Sequence, residues 1–413
     1  MKVILVVGAR PNFMKVAPII QAIREHQRRL GSNWRSDESI EYKLVHTGQH
    51  YDQRMSDSFF SDLGLPAPDE FLGVGSSSHA VQTADVMRHF EKTLMREQPD
   101  AVLVVGDVNS TLACAIVASK ISYPSETRRP LIAHVESGLR SFDRAMPEEI
   151  NRILTDHLAD LLFVTEESGI QNLRNEGIPR ERIFLVGNTM IDSLLAFSGQ
   201  AAQSKILDDL GLGSNHGTPN GRVAVPYALL TLHRPSNVDD RGCFLRIVSG
   251  LDELAANCPI LFPAHPRTQQ RMREFGISAQ RFCSKPGADS TGQVQNGFRL
   301  LEPQGYVDFL CLMKNASLVV TDSGGIQEET TCLGVPCVTV RENTERPVTI
   351  TNGTNLLAGV ESDKIRQAVR VQFARRFVGG SPEFWDGKAA QRIVEELVRA
   401  TQAAGALAAL RVA

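Results

Sequence analysis

Short apolar runs alternate with helix-length amphipathic stretches along almost the whole chain. In the amino-terminal half these runs occupy residues 3–7, 42–46, 101–105, 131–135, 161–165 and 183–186, and a second series occupies 227–232, 260–263, 298–301, 318–321, 337–340 and 355–357. Runs this short that are apolar throughout are typical of parallel strands covered by helices on both faces. The pattern therefore predicts an α/β protein with two Rossmann-like, doubly wound domains.

The junction between the two series is marked by a change of composition. The segment 211–221 is polar and glycine-rich and has no apolar period, which indicates a loop after the junction. Near the carboxyl terminus, Ala390, Ile393, Val394 and Leu397 recur at helical spacing and predict a final amphipathic helix that packs back across the junction. The predicted domains are residues 1–187, joined by the helix within 379–413, and residues 188–378.

The composition fits a globular protein and excludes some partners. With 413 residues the chain is too long for one ordinary core, and 42% hydrophobic and 22% charged residues are ordinary values for folded domains. The formal net charge of -3 lacks the basic excess of a nucleic-acid-binding protein, so any anion site must be local. The first apolar run is too short for a membrane span and lacks a signal-peptide cleavage site, so we expect no membrane partner and a cytoplasmic location.

Neither the cysteines nor the histidines are spaced as metal ligands. The seven cysteines have no CxxC spacing and mostly lie in apolar surroundings, which favours reduced, packed thiols. The ten histidines show no HExxH pattern and no cluster. The sequence therefore predicts no metal site built from nearby residues.

An anion site is predicted where the apolar run 318–321 ends. The segment DSGGIQEE follows it and reads as a helix start, which carries unpaired N–H groups and partial positive charge. Ser323, Gly324 and Gly325 leave these groups accessible to a diphosphate. Glu329, one turn further on, either accepts hydrogen bonds from a ribose diol or merely complements the helix dipole.

A second anion-facing turn follows the first apolar run, at Gly8. Arg10 and Lys15 flank this turn, where they either neutralise a phosphate or solvate the helix end. The segment GARPNF lacks the GxGxxG spacing of dinucleotide-binding loops, so we expect no NAD. Two such turns in different halves suggest that both halves bind one charged ligand.

Three carboxylates in the first half follow apolar runs or open a helix: Asp107, Glu136 and Glu148. Carboxylates crowded in one cleft push their pKa values apart and can divide acid and base roles. Glu148 has a simpler alternative, because an acid just after Pro147 complements the helix dipole. His233, which ends the segment YALLTLH, either serves a phosphate as donor or titratable group, or is a structural histidine bonded to the backbone.

Nine motifs occur along the chain in this order: GARPNFMKVAP, HTGQHYD, GDVNSTLA, HVESGLRSFDRAMPEEINRILTDH, VGNTMID, TLHRPSNVD, EPQGYVDFL, TDSGGIQEE and RENTERP. In this combination they closely resemble the non-hydrolysing UDP-N-acetylglucosamine (UDP-GlcNAc) 2-epimerases, and the resemblance runs from Met1 to about Ile393. It implies a GT-B architecture with the nucleotide in the cleft between two Rossmann-like domains, a homodimer, and a reaction without metal or cofactor.

The resemblance also implies a reaction, the interconversion of UDP-GlcNAc and UDP-N-acetylmannosamine (UDP-ManNAc). UDP leaves with loss of the proton at sugar carbon 2, giving a 2-acetamidoglucal, and reprotonation on the opposite face with return of UDP completes the inversion. That proton is barely acidic, so departure of UDP must build positive charge on the sugar before a carboxylate removes it. Domain closure would keep water away from the bound glycal.

Carried over by motif, the resemblance gives acid–base work to the three carboxylates and places His233 near the diphosphate as a further essential residue. Which carboxylate serves which face of the sugar stays open. The uracil is expected at Gln304 and Phe309, and the ribose at Glu329. The residues expected to bind the substrate are Arg10, Lys15, Gln304, Phe309, Ser323, Gly324, Gly325, Glu329 and Arg346.

The chain departs from the family pattern in two motifs. Ser236 in TLHRPSNVD stands where many relatives carry Glu. The segment TGQHYDQRM differs from the TxQHREML form of relatives that a second UDP-GlcNAc molecule activates. Gln49, Arg234 and His265 are nevertheless present as candidates for such an allosteric site.

Three alternative functions share parts of this pattern. Relatives that epimerise UDP-2,3-diacetamido-2,3-dideoxy-glucuronate have most of the same motifs, although DSGGIQEE and TERP favour UDP-GlcNAc. A retaining GT-B glycosyltransferase would need an acceptor groove and no base for carbon 2. A non-enzymatic UDP-sugar sensor is expected to lose a carboxylate, whereas Asp107, Glu136 and Glu148 are all present.

Overall fold

The computed structural model describes residues 1–30, 39–49, 64–123, 129–213, 225–277, 282–283, 295–374 and 381–412, without the side chains of Arg10, Cys283 and 404–412. The chain forms two compact units. The first contains Met1–Ser193 and Glu383–Ala413, and the second contains Leu194–Pro382.

The first unit is built on a seven-stranded parallel sheet. Its strands are β1 (Lys2–Val7), β2 (Glu41–His46), β3 (Glu70–Phe71), β4 (Ala101–Val105), β5 (Leu131–Ser137), β6 (Leu161–Val164) and β7 (Ile183–Leu185). They lie in the order β3-β2-β1-β4-β5-β6-β7. The helices are α1 (Arg10–Leu30), α2 (His79–Glu97), α3 (Asn109–Lys120), α4 (Pro147–Leu158), α5 (Glu167–Asn175) and α6 (Thr189–Ala201), which runs into the second unit.

The second unit has a sheet of the same kind. Its strands are β8 (Ala228–Thr231), β9 (Pro259–Pro263), β10 (Phe282–Cys283), β11 (Gly297–Leu301), β12 (Leu318–Thr321), β13 (Cys337–Thr339) and β14 (Asn355–Leu357), in the order β10-β11-β9-β8-β12-β13-β14. The helices are α7 (Ile206–Asp209), α8 (Pro235–Val238), α9 (Arg241–Gly250), α10 (Asp252–Asn257), α11 (Pro266–Glu274), α12 (Tyr306–Asn315), α13 (Gly324–Leu333), α14 (Val348–Thr351) and α15 (Ser362–Ala374).

Burial on both faces explains why the strands could be read from apolar runs. All five residues of β4 are buried, and β4 lies between β1 and β5 in the sheet. A single-faced strand would alternate with polar positions, whereas these strands do not. The α/β class and the two doubly wound, Rossmann-like sheets are therefore confirmed. The sequence analysis missed β3 and β10, because a two-residue edge strand is too short to show a period.

Each sheet has one point where the strand order reverses direction. In the first sheet it lies between β1 and β4, and in the second between β8 and β12. Loops that leave adjacent strands in opposite directions open a crevice at the carboxyl ends, where doubly wound proteins bind ligands. The residues after these four strands are therefore the first to consider as a site.

The last helix, α16 (Ala389–Val412), belongs to the first unit and packs against α1. Asp192 holds its start, accepting hydrogen bonds from the backbone N–H groups of Ala389 (3.2 Å) and Ala390 (2.7 Å). Trp385 is buried and donates its indole N–H to the carbonyl of Thr165 (2.9 Å). None of the helices in the described ranges combines the length and the apolar character needed to cross a lipid bilayer.

Candidate functional site

The turn between β1 and α1 is fastened by one asparagine. Asn12 Oδ1 accepts hydrogen bonds from the N–H groups of Gly8 (3.1 Å) and Ala9 (3.0 Å), and Asn12 Nδ2 donates to the carbonyl of Val105 (2.9 Å). This contact ties the first turn to the end of β4, across the point where strand order reverses. The side chain of Arg10 lies outside the described part of the structure, so its role stays a prediction.

Glu136 lies at an irregularity of β5. The pairing of β5 with β6 shifts register between Val135 and Ser137, and Glu136 has a positive φ of 68°. A non-glycine residue in this region costs on the order of 1–3 kcal/mol and persists only where its surroundings hold it there. The bulge turns the buried side chain of Glu136 toward Lys15, whose ammonium group forms an ion pair with Glu136 Oε2.

Asp107 follows β4 and is paired with a second cation. Gly106 before it has a φ of 67°, and a Cβ added there would lie 3.2 Å from Lys15 Nζ, which brings the Asp107 turn against the Lys15–Glu136 pair. Asp107 Oδ2 accepts hydrogen bonds from Arg152 Nε (3.0 Å) and Nη2 (2.8 Å), yet the side chain keeps 27% of its surface exposed. The pairing therefore leaves this carboxylate accessible.

The structure separates the two neighbouring glutamates of α4. Glu149 is buried: its Oε2 accepts from the N–H of Ser141 (2.9 Å), its Oε1 from the N–H of Phe142 (2.8 Å), and Arg152 also donates to it. Glu148 is exposed in the first turn of α4. This position is also consistent with the simpler alternative, in which Glu148 only complements the helix dipole. Glu149 has a structural role, and Glu148 is the one that a ligand can reach.

In the second unit a buried aspartate holds two loops together. Asp322, directly after β12, accepts hydrogen bonds from the backbone N–H groups of His233 and Arg234 and from Asn237 Nδ2 (3.1 Å). Burial favours its neutral form, but the hydrogen bond and charge of His233, together with the backbone donors, hold the pKa of Asp322 below its usual value. The sequence analysis placed this residue in an anion-binding motif and missed its positioning role.

His233 is oriented by this aspartate. Its Nδ1 lies 2.8 Å from Asp322 Oδ1, while 57% of the side chain is exposed. Because Nδ1 is engaged, Nε2 is the ring atom available to a ligand. The side chain of His233 is thus held by a carboxylate and not by the backbone, as the structural alternative expected, and its role toward a phosphate stays a prediction.

The start of α13 has the features of an anion site. Ser323 occupies the N-cap without capping the helix through its side chain, so the first N–H groups keep their hydrogen-bonding capacity. A Cβ added to Gly324 would lie 2.4 Å from Arg346 Nη1, so the guanidinium group is packed against this glycine. Arg346 is held there by Glu328 (Nε to Oε1, 2.8 Å) and Glu345 (Nη1 to Oε2, 3.3 Å). Glycine at 324 allows an arginine to approach the helix start, next to Gly325.

Glu329 is a buried acid one turn into α13. Its Oε1 accepts a hydrogen bond from the Tyr306 hydroxyl (3.0 Å). Burial raises the pKa of Glu329 to about 7, with a further increase from Glu328 and a partial decrease from the Tyr306 hydrogen bond. The two residues predicted to contact the uracil lie at α12. Phe309 is half-buried within this helix. Gln304, just before the helix, is also half-buried and donates to the carbonyl of Glu302 (2.7 Å).

The three candidates for an allosteric site have local partners. Gln49 is buried, and its Oε1 accepts from the N–H (3.0 Å) and hydroxyl (2.7 Å) of Ser110. Arg234 Nε donates to the carbonyl of Asp322 (3.2 Å). His265 is the exposed N-cap of α11, and its Nδ1 accepts from the N–H of Arg267 (3.2 Å). Most of TGQHYDQRM lies outside the described residues, so regulation through these residues stays a prediction.

Cysteines and metal-binding groups add nothing to this site within the described ranges. Six cysteines there are free thiols, five of them buried and Cys332 half-buried, as expected for packed thiols. Among the same residues, no group of three His, Cys, Asp or Glu side chains is arranged to hold a metal ion.

Comparisons with known proteins identify the family. A model of the family described as UDP-N-acetylglucosamine 2-epimerase matches residues 32–398. The UDP-N-acetylglucosamine 2-epimerase of Methanocaldococcus jannaschii is 39% identical over 408 residues, which cover 96% of this chain and 99% of that protein. The UDP-2,3-diacetamido-2,3-dideoxy-D-glucuronate 2-epimerase of Pseudomonas aeruginosa is 37% identical, with 97% and 100% covered.

A solved structure gives the same result. The crystal structure of the M. jannaschii UDP-GlcNAc 2-epimerase in complex with UDP-GlcNAc and UDP matches with a TM-score of 0.80 at 39% identity, covering 97% of this chain and all of the other. Sequence and structure agree over nearly the full length of both chains. The chain therefore belongs to the UDP-N-acetylglucosamine 2-epimerase family.

Proposed function

We propose that this protein interconverts UDP-GlcNAc and UDP-ManNAc by elimination and re-addition of UDP. One observation carries the proposal. The chain combines cation-paired carboxylates, one after β4 and one at the bulge of β5, with a helix start after β12 that has glycines and a neighbouring arginine. The first set suits proton transfer and the second suits a diphosphate. On family grounds we also propose that the enzyme is a homodimer.

The second unit supplies the nucleotide site in this proposal. The N–H groups at the start of α13, the Ser323 hydroxyl and Arg346 bind the diphosphate, and Nε2 of His233 serves it as a further donor. Because UDP gains negative charge as it departs, donors fixed before the reaction stabilise the departing group more than the intact substrate. Glu329 accepts hydrogen bonds from the ribose, and Gln304 and Phe309 border the uracil.

The first unit supplies the proton transfers. As the bond between carbon 1 and the phosphate oxygen breaks, its electron pair leaves with UDP, and a carboxylate takes the proton from carbon 2. The C–H electron pair becomes the double bond of the glycal. Another acid then protonates carbon 2 on the opposite face while UDP returns to carbon 1. We assign these transfers to Asp107, Glu136 and Glu148 without dividing the two faces among them.

Proton NMR in heavy water tests the proposal. Purified protein incubated with UDP-GlcNAc is expected to form UDP-ManNAc and to place deuterium at carbon 2 of both sugars. A spectrum in which neither product nor deuterium appears would contradict it. Parallel reactions with UDP-2,3-diacetamido-2,3-dideoxy-glucuronate compare kcat/KM for the substrate named by the Pseudomonas relative, which is almost as similar to this chain. If kcat/KM is higher for that sugar, it becomes the assigned substrate in place of UDP-GlcNAc.

The adjacent glutamates of α4 give a matched pair of variants. Glu148→Gln is expected to lower kcat about 10²- to 10⁴-fold, because an exposed acid–base group is lost, and to leave the thermal unfolding midpoint unchanged. Glu149→Gln is expected to destabilise the protein by about 1–3 kcal/mol, because buried donors of the 141–142 loop lose an acceptor. Thermal unfolding combined with initial rates checks both, and full activity of Glu148→Gln would exclude that residue from the reaction.

The raised pKa of Glu329 predicts a pH-dependent stability. In the folded protein this pKa is about 7 because of burial, whereas the ordinary value for a glutamate is 4.5, so the folded state binds an extra proton between these two pH values. This contribution to stability is complete below about pH 4.5 and is lost as the pH rises through 7. Compared with the wild type, Glu329→Gln should therefore have a higher free energy of unfolding at pH 8, by on the order of 1–3 kcal/mol, and nearly the same free energy at pH 5.

The exposed Glu302→Gln serves as a control for this variant and should show no such difference. Equal shifts of the Glu329→Gln midpoint at pH 5 and pH 8 would contradict the explanation. Isothermal calorimetry with UDP separately tests the ribose contact, which Glu329→Ala should weaken.

A further inference from the structure

A fully buried ion pair lies behind the carboxylates of the first unit. His134 is on β5, two residues before Glu136, and Asp156 is on α4. Both side chains have no exposed surface, and His134 Nδ1 lies 2.7 Å from Asp156 Oδ1. Removing two such groups from water is costly, so they persist only where further hydrogen bonds complete the network.

The outer atoms of this pair reach the two turns that carry the predicted acid–base groups. His134 Nε2 lies 2.9 Å from the carbonyl of Gly106, the residue before Asp107. Asp156 Oδ2 accepts a hydrogen bond from the N–H of Gly138 (3.1 Å), two residues after Glu136. One side-chain pair therefore connects the end of β4 to the segment that follows the β5 bulge.

Both members of the pair are surrounded by hydrogen-bonding partners. The Gly106 carbonyl can only accept, so His134 Nε2 must carry a hydrogen. Burial works against ionisation of Asp156, but His134 and Arg140 outweigh it and hold the pKa of Asp156 below its usual value. His134 Nδ1 lies against this carboxylate, so both ring nitrogens face oxygen atoms that hold the ring in place.

Arg140 extends the network away from the turns. Its Nη1 lies 2.7 Å from Asp156 Oδ2, and its Nε and Nη2 both bond to Glu176 at 2.8 Å. Glu176, the last residue of this network, has no hydrogen bond to the Gly106 turn or to Gly138. The network thus contains its own control position, at which an ion pair can be broken without releasing either turn.

We propose that His134 and Asp156 are positioning residues, which fix the Asp107 turn and the Glu136 bulge relative to each other and so set the spacing of the two carboxylates. The inference rests on the proposed epimerase reaction. Proton transfer requires the reacting atoms at hydrogen-bond distance, and an error of about 1 Å costs roughly a hundredfold in rate. The pair belongs to the first unit and the diphosphate site is assigned to the second, so UDP binding is expected to be independent of the pair.

Kinetics of His134→Gln, Asp156→Asn and the double variant test the proposal. Each single variant is expected to lower kcat by about 30- to 100-fold, with KM and the Kd for UDP within about twofold of wild type. The double variant should lose no more than the larger single loss, because both residues act as one unit. Glu176→Gln should lower the unfolding midpoint and leave kcat within about twofold.

Wild-type kcat in either single variant, measured well below its unfolding midpoint, would overturn the proposal. If the variants do not fold, a crystal structure of the wild-type protein decides: hydrogen bonds between His134 Nε2 and the Gly106 carbonyl and from the Gly138 N–H to Asp156 are expected, and the absence of either would overturn the proposal. A wild-type protein that exchanges no deuterium at carbon 2 would instead refute the epimerase function, independently of these variants.

Discussion

Glu136→Gln is expected to lower kcat at least a thousandfold while the Kd for UDP changes less than about threefold. Loss of a positioned general base or acid alone costs about 10²–10⁴-fold. At this position the change also removes the negative partner of buried Lys15, so an uncompensated positive charge remains beside the sugar. A positive charge there opposes the positive charge that builds on the sugar as UDP leaves. Rapid-quench measurement of UDP-ManNAc formation checks the expected loss of kcat. Isothermal calorimetry with UDP checks that the Kd is nearly unchanged.

Glu97→Gln provides the control for this variant. Glu97 is also a carboxylate of the first unit paired with lysines, at 2.7 Å from Lys2 Nζ and 2.6 Å from Lys43 Nζ, and it is remote from the carboxyl ends of the strands. We expect its replacement to leave kcat unchanged. If both variants lose activity equally, the effect arises from weaker ion pairing in the unit and not from the chemistry of Glu136.

Gly324→Ala is expected to raise the Kd for UDP by about 100- to 1,000-fold. The added methyl carbon would lie 2.4 Å from Arg346 Nη1, which forces the guanidinium group away from the helix start. The same methyl group also narrows the approach to the first N–H groups of α13. Loss of charge-assisted hydrogen bonds to a diphosphate, each worth about 1.5–3 kcal/mol, accounts for this range. Isothermal titration with UDP measures the effect directly.

Gly199→Ala is the matched substitution for Gly324→Ala. Gly199 lies within α6, and a Cβ added there meets no atom within 4 Å. UDP affinity should be unchanged, and the unfolding midpoint should rise slightly, since alanine favours a helix by about 1 kcal/mol over glycine. An unchanged UDP affinity in Gly324→Ala would show that the start of α13 does not bind the diphosphate.

The strands could be predicted because burial on both faces makes each of them a continuous apolar run. The run 101–105 coincides with β4, and the run 318–321 coincides with β12. The edge strands β3 and β10 escaped prediction because each contributes two residues and takes its place from pairing with a neighbour. Pairing between distant segments leaves no local pattern in the sequence.

The residues of the candidate site could be proposed from the sequence, but the contacts among them could not. Motif and position indicated Asp107, Glu136 and Glu148, yet nothing local distinguishes Glu148 from Glu149, because burial of the second depends on the 141–142 loop. Arg152 was missed, although its place four residues after Glu148 puts it on the same helical face. A second indication in the sequence was the number of acids near α4, because buried carboxylates require a positively charged partner such as Arg152.

The buried pair of His134 and Asp156 was also missed, for a related reason. A histidine within an apolar strand and an aspartate near the end of a helix each have an ordinary explanation when read separately. Their link to Gly106 and Gly138 arises from three segments that only the folded sheet brings together: the end of β4, the strand β5 with the residue after it, and α4. Sequence spacing cannot report such a contact without a known fold.

The return of the final helix to α1 has a consequence for how the protein is made. During synthesis, the apolar face of α1 emerges well before its cover, because the whole second unit separates the two helices in the sequence. The second unit is continuous in sequence and can complete its core before the first. The nascent chain therefore carries an uncovered α1 until the second unit has been made, and during that time its apolar surface is open to aggregation.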